Sequence, residues 1–331
     1  MVYNIGIFGA TGKVGTELIK VLYHRKYPIK NLRLFASEKS AGNVIDTPGG
    51  EIKVENADNA DFRGIDIAFF AISGEWSKKF TKKAVKENCT VIDNSSAFRY
   101  DKNVPLVIPE INSHTIKDNK LIANPNCTTA IAILPLNVIY KNFGIKKIIM
   151  SSYQAASGAG AKGMEELENS TRDYLNGNPV MPKAFQHSIA FNLIPQIDIF
   201  MENGYTKEEM KVVWETRKIL ECEKIDISAT CVRIPTFRAH AMAVTVETEQ
   251  EIDLDDYRNL LNEAAGINLV DNPQKSLYPM PITSTGIYNV EVGRIRHSNI
   301  FGKNGVDFFV CGDQLLKGAA LNAVQIAEAL L

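Results

Sequence analysis

The chain has 331 residues, 45% of them hydrophobic and 23% charged, with a formal net charge of −1. That length supports a sizeable core and predicts two domains. The near-neutral balance gives no field for nucleic acid or an anionic membrane surface, and no apolar run approaches the roughly 20 residues of a membrane span. Met1-Val2-Tyr3-Asn4 leads into a strand-like segment with no basic leader or cleavage site, so no secretory leader is expected. The five cysteines are 89, 127, 222, 231 and 311. The number is odd and no Cys-x-x-Cys pair occurs. A disulfide framework and a zinc site are therefore not expected, and a reducing cytoplasm is.

The first strand runs through Ile5-Gly6-Ile7-Phe8 into glycines at 9, 12 and 15. A helical stripe follows, formed by Val14, Leu18, Val21 and Leu22. Glycines at such a turn let the backbone approach a pyrophosphate, and the helix N-terminus then meets the anion. The spacing is G-x-x-G-x-x-G, a variation on the dinucleotide theme. Strand 32–36 ends in Ser37-Glu38-Lys39-Ser40. An NAD site usually carries an acid here for the ribose hydroxyls. Ser37, Lys39 and Ser40 instead offer donors and a positive charge suited to a 2′-phosphate, which favours NADP. Glu38 shares the loop and pulls the other way; the plain alternative is a solvated loop.

Strands are predicted at 65–71, 90–93 and 121–124, with a helix over 77–87. This β/α alternation predicts a doubly wound α/β domain with ligands at the carboxyl ends of its strands. Cys127 falls at such an end, in Asn124-Pro125-Asn126-Cys127-Thr128-Thr129, with the apolar helical run 130–134 behind it. Backbone N–H groups at a helix start favour a thiolate and can hold an oxyanion. A buried, inert cysteine is the ordinary alternative.

Beyond Cys127 the texture changes. Strands are predicted at 145–155, 226–235, 241–249, 290–297 and 306–311, with a Gly-rich loop at 156–161. Helices are predicted over 163–176, 206–221 and 254–265. The sum is an α+β domain with a mainly antiparallel sheet. The apolar helix 314–331 is expected to return to the first domain. The predicted division is 1–127 plus helix 313–331 for cofactor binding, and 128–312 for catalysis and dimerisation.

A reactive thiol needs an acid/base group, and histidine suits neutral pH. His240 is the best-placed candidate, since it follows Arg233-Ile234-Pro235-Thr236-Phe237-Arg238-Ala239. Arginines offer forked donors for a carboxylate or phosphate. Arg99 follows a strand end. Glu215 and Lys218 share a helix face, where a surface ion pair is the plain alternative.

Together these motifs resemble the aspartate-β-semialdehyde dehydrogenase family over nearly the whole chain. The resemblance rests on Gly9-Ala10-Thr11-Gly12-Lys13-Val14-Gly15, Asn94 through Arg99, Asn124 through Thr129, Gln154 through Gly160, Glu215-Thr216-Arg217-Lys218, Arg233 through His240, and Gly312-Asp313-Gln314-Leu315. It implies a glyceraldehyde-3-phosphate dehydrogenase-like fold: a Rossmann-type domain plus an α+β catalytic and dimerisation domain. It implies NADP-dependent, phosphate-releasing reduction of L-4-aspartyl phosphate to L-aspartate 4-semialdehyde through a cysteine thioacyl intermediate. That step leads to lysine (through diaminopimelate), methionine and threonine. By the resemblance, Cys127 is the nucleophile, His240 the acid/base, and Gln154 orients the acyl group. Arg233, Glu215 and Asn126 would hold the substrate, and Arg99 and Lys218 its phosphate. Gly9, Thr11, Gly12, Lys13, Val14, Ser37, Lys39, Ser157, Gly158 and Gln314 would contact NADP. A homodimer or homotetramer is implied, and no metal. Lys39 stands where relatives often have arginine.

Two other readings compete. N-acetyl-γ-glutamyl-phosphate reductase shares the cysteine chemistry but accepts an acylated amine, so an acid such as Glu215 at the amine pocket has no use there. A dinucleotide-binding protein without turnover would not need Cys127, Gln154 and His240 together.

Overall fold

A computed structural model describes residues 1–331, which form two compact units. The first comprises Met1–Asn126 and Ala319–Leu331, and the second Cys127–Gly318. Cys127 thus opens the second unit, and the chain returns to the first at Ala319 rather than at residue 313. No helix is long and apolar enough to cross a membrane.

The first unit runs β1 (Tyr3–Phe8), α1 (Lys13–His24), β2 (Ile29–Ala36), β3 (Val44–Thr47), β4 (Gly50–Asn56), β5 (Ile67–Phe70), α2 (Gly74–Lys86), β6 (Thr90–Asp93), α3 (Pro109–Asn112) and β7 (Leu121–Ala123). Its seven-stranded sheet has the order β3-β4-β2-β1-β5-β6-β7. All neighbours are parallel except the β3–β4 hairpin. Strand order reverses at β1, so the loops after β1, β2 and β5 meet at one carboxyl edge, where doubly wound sheets bind ligands. The hairpin was not read from sequence, although Glu51-Ile52-Lys53-Val54 alternates after a Pro-Gly-Gly turn. A buried group of Phe8, Phe35, Phe62, Phe70 and Phe80 fills one side of this sheet. Parallel strands covered on both faces are apolar throughout, as Ile-Ala-Phe-Phe of β5 is.

The second unit runs α4 (Cys127–Phe143), β8 (Lys147–Gln154), α5 (Gly160–Leu175), α6 (Lys207–Ile219), β9 (Asp226–Arg233), β10 (His240–Glu247), α7 (Leu254–Glu263), β11 (Ile267–Leu269), α8 (Pro281–Ser284), β12 (Val290–Ser298) and β13 (Gly302–Gly312). Its six-stranded sheet has the order β11-β12-β13-β10-β8-β9. Three pairings are antiparallel, while β8–β9 and β11–β12 are parallel. Burial alternates along β8: Ile148, Met150, Ser152 and Gln154 point inward, and Ile149 and Tyr153 outward. After β13 the chain passes through a π-helical turn, Leu316–Ala320, into α9 (Leu321–Glu328) of the first unit. There Asn322 donates to Asn124 Oδ1 at 2.6 Å, and Arg25 pairs with Glu328.

Candidate active site

In the second unit, sheet register assembles the candidate residues. Parallel β8 and β9 end side by side, with Gln154 opposite Arg233. Antiparallel β10 starts at that same edge, with Ala241 opposite Tyr153 and His240 opposite Gly312 of β13. Arg233, Gln154, His240 and Gly312 therefore form one row across four strands. All four side chains or backbones lie on the inner face, towards the helices, because their positions share strand parity.

His240 is fully buried. Its Nδ1 accepts the Ala155 N–H at 3.0 Å, and its Nε2 is buried without a protein partner. A backbone N–H can only donate, so the neutral ring carries its proton on Nε2. Burial first, and the charge of Arg233 second, lower the His240 pKa from 6.5 to about 3. The ring is thus neutral at physiological pH, with a buried Nε2–H hydrogen-bond donor that a ligand oxygen or sulfur could satisfy.

Arg233 is buried, and burial lowers its pKa. Its Nη1 donates to Ala155 O at 2.6 Å. A methyl group at Gly158 would lie 2.6 Å from Arg233 Nη1 and 3.3 Å from His240 Nε2. Only a residue without a side chain lets this loop lie so close over both groups. Gln154 is held at both ends of its amide. Oε1 accepts from Ser152 Oγ at 2.9 Å, and Nε2 donates to Glu208 Oε1 at 3.1 Å.

Glu208 was not singled out from sequence. It stands in the first turn of α6, which starts at Thr206 through a capping box with Glu209. It is buried, meets Lys211 at 3.0 Å, and places a negative charge near Arg233 and His240. Glu215, two turns further along, is fully buried. Lys218 lies half-buried on the same helix.

Cys127 is the first residue of α4 and is half-buried, with no acidic residue in that helix's first turn. A negative charge on Cys127 would attract the Arg233 guanidinium and disfavour a thiolate at Cys231. Burial pushes the Cys89 and Cys311 thiols each up to about 12, and Cys231 is pushed up as well. Thiols so raised are poor nucleophiles at neutral pH. A methyl at Gly318 would meet Cys127 Cβ at 2.7 Å and Gln314 Cβ at 3.3 Å. Gln314 in turn accepts the Ala239 N–H at 2.7 Å and donates to Ser157 Oγ. Gln314 therefore ties the loop at Ser157 to Ala239, the residue before His240. Gly318 also escaped the sequence reading.

In the first unit, Gly9 has φ +86, and its backbone N–H donates to Phe35 O at 2.8 Å. A Cβ there would strike Ala71 O at 2.2 Å. Gly12 precedes α1 without a side-chain cap, and the first turn holds no acid. Thr11, Gly12 and Lys13 are exposed, and Val14 is half-buried. An uncapped helix start behind a close-approach turn fits a dinucleotide pyrophosphate. Ser37 and Lys39 are exposed on the adjacent loop after β2. Arg99 is buried after β6, with Nε donating to Asn124 O and Nη2 to Asn94 O, each at 2.8 Å. Asn126 is buried at the end of this unit's main segment.

Two family models match the chain. One describes the semialdehyde dehydrogenase NAD binding domain and covers residues 4–119; the other describes its dimerisation domain and covers 136–317. The aspartate-semialdehyde dehydrogenase of Aquifex aeolicus is 49% identical, covering 100% of this chain and 98% of its own. That of Bacillus subtilis is 43% identical, covering 99% and 97%. A crystal structure of aspartate semialdehyde dehydrogenase II from Vibrio cholerae, complexed with ASA, matches with TM-score 0.97 and 43% identity. It covers 100% of this chain and 98% of that one.

Proposed function

The chain belongs to the aspartate-semialdehyde dehydrogenase family, and on that premise we propose which of its residues perform the family's reaction, the reductive dephosphorylation of aspartyl phosphate. Cys127, as thiolate, attacks the acyl carbon. A C–S bond forms, the C–O bond to phosphate breaks, and phosphate leaves a thioester on Cys127. NADPH, held by the residues named below, would supply the hydride that reduces this thioester. The C–S bond then breaks, releasing L-aspartate 4-semialdehyde and the Cys127 thiolate.

His240 serves in this cycle as a hydrogen-bond donor. Its Nε2–H stabilises the oxyanion that forms at the acyl carbon on attack and again on reduction. Uptake of a second proton would need Nδ1 as donor, where the Ala155 N–H already points, so donation at Nε2 is its working role. The N-terminus of α4 and Arg233 favour the thiolate without a base. Gln154, fixed by Ser152 and Glu208, orients the acyl group. Arg233 and Glu215 hold the α-carboxylate and α-ammonium, and Asn126 contacts the same substrate. Arg99 and Lys218 bind the phosphate. Gly9, Thr11, Gly12, Lys13 and Val14 hold the pyrophosphate. Ser37 and Lys39 favour the 2′-phosphate of NADP over NAD, and Ser157, Gly158 and Gln314 line the nicotinamide side.

The observation that carries this reading is the buried row Arg233–Gln154–His240, with Nε2 of His240 unpartnered. A second copy of the chain is proposed on the outer face of the second unit's sheet. There Ile149 is 45% exposed and Tyr153 lies against Phe309, an apolar face that suits the dimerisation domain matched. The enzyme is proposed to work in the cytoplasm, on the route to lysine, methionine and threonine.

The direct assay is reduction of NADP by aspartate semialdehyde. Turnover is expected to require phosphate, to be slower with NAD, and to fail with N-acetylglutamate semialdehyde. Turnover of the N-acetylated compound alone would overturn the substrate assignment.

A further inference from the structure

Ala239, immediately before His240, has φ +68 and is fully buried. Residues with a side chain adopt this left-handed conformation rarely, and alanine has no polar group to stabilise it. Something in the fold must hold it there, because the direction of entry into β10 at this point fixes where the imidazole stands.

Two hydrogen bonds reach that turn from the segment after β13, and three more fix the two residues that accept them. The Asp313 carboxylate is fully buried. Its Oδ2 accepts Arg238 Nε at 2.6 Å and the Gly286 N–H at 2.7 Å, and its Oδ1 accepts the Leu315 N–H at 3.0 Å. Gln314 Oε1 accepts the Ala239 N–H at 2.7 Å, while its Nε2 reaches Ser157 Oγ. The two pieces are neighbours because His240 pairs with Gly312 in the ladder. One short segment therefore grips the residues before His240 on one side. On the other it grips the loop whose Gly158 lies over His240 Nε2.

We propose that the Arg238–Asp313 ion pair, together with Gln314, is a clamp that holds Ala239 left-handed and so positions His240 for the reaction. Arg238 and Asp313 are positioning residues; neither has a role in the mechanism above. The proposal rests on the assignment of His240 made there. It also explains why a buried carboxylate is placed beside a strand end that needs no charge of its own: a paired, hydrogen-bonded charge is a rigid anchor, and one left without its partner is strongly unfavourable.

The test uses the full-length enzyme in five forms: wild type, Asp313→Asn, Ala239→Gly, the double variant, and His240→Asn. Asp313→Asn should lower kcat at least about 30-fold while KM for aspartate semialdehyde stays within about 3-fold. In the Ala239→Gly background the same substitution should cost no more than about 5-fold, since glycine takes the left-handed conformation without a clamp. Equal losses in the two backgrounds, or a lowered melting temperature with kcat unchanged, overturn the clamp. A wild-type kcat in His240→Asn would instead overturn the assignment beneath it. Should Asp313→Asn fail to fold, Arg238→Gln breaks the same ion pair from its 22% exposed side and must give the same ratio between backgrounds.

Discussion

Gly318 is the residue whose change should separate Cys127, the proposed nucleophile, from the rest of the protein. A methyl carbon there would lie 2.7 Å from Cys127 Cβ and 3.1 Å from Cys127 Cα, where ordinary contact begins at 3.4 Å. One of the atoms is backbone at the start of α4, so a rotamer change cannot relieve the clash. Cys127 or the π-helical turn must shift by roughly 0.7 Å. Displacement of a reacting atom by about 1 Å costs on the order of 100-fold in rate. Overpacking of this kind costs about 1–3 kcal/mol of stability, which a folded two-unit protein tolerates. Gly318→Ala should therefore lower kcat about 30- to 100-fold and slow alkylation of Cys127 by iodoacetamide, while the circular dichroism spectrum and NADP affinity stay close to wild type. The assays are steady-state turnover and peptide mapping of the alkylated thiol. A kcat within about 3-fold of wild type, with the protein folded, would refute the placement of Gly318 against the nucleophile.

Gly158→Ala brings a methyl to 2.6 Å from Arg233 Nη1, whose retreat breaks its bond to Ala155 O. Loss of a charge-assisted hydrogen bond of about 1.5–3 kcal/mol should raise KM for aspartate semialdehyde at least 10-fold, and an unchanged KM would count against Arg233 as the carboxylate ligand. His240 titrates at about 3 when folded and near 6.5 when unfolded, so protonation favours the unfolded chain. Its stabilising contribution is complete above pH 6.5 and is lost as pH falls towards 3, amounting to about 2 kcal/mol by about pH 5. Melting temperatures should drop further between about pH 7.5 and 5 for wild type than for His240→Asn; equal drops would contradict the buried neutral ring. Lys39→Ala should raise KM for NADP several-fold and leave KM for NAD unchanged, and equal effects would remove Lys39 from the proposed 2′-phosphate site.

Local features of the site were legible in the sequence, and long-range ones were not. The glycine turn after β1 and the strand-to-helix joint at Cys127 are each set by a dozen neighbouring residues, so pattern alone places them. The row of Arg233, Gln154 and His240 depends on register between strands distant in the chain, which no local pattern encodes. Glu208 reads as an ordinary acid in a capped first turn, and its contact with Gln154 exists only once α6 packs on the sheet. Ala239 hides its left-handed backbone because alanine gives no signal for it, whereas glycine or asparagine would have. The β3–β4 hairpin, by contrast, carried its alternation and turn openly.

The central claim is covalent catalysis at Cys127. The measurement that tests it most directly mixes enzyme, aspartate semialdehyde and NADP without phosphate, then follows NADPH absorbance and the intact protein mass. The account predicts one NADPH per active site in a single burst. It also predicts a mass increase equal to one aspartyl acyl group, mapped to Cys127 and discharged when phosphate is added. A burst that persists in Cys127→Ala, or an adduct carried on another residue, would contradict it.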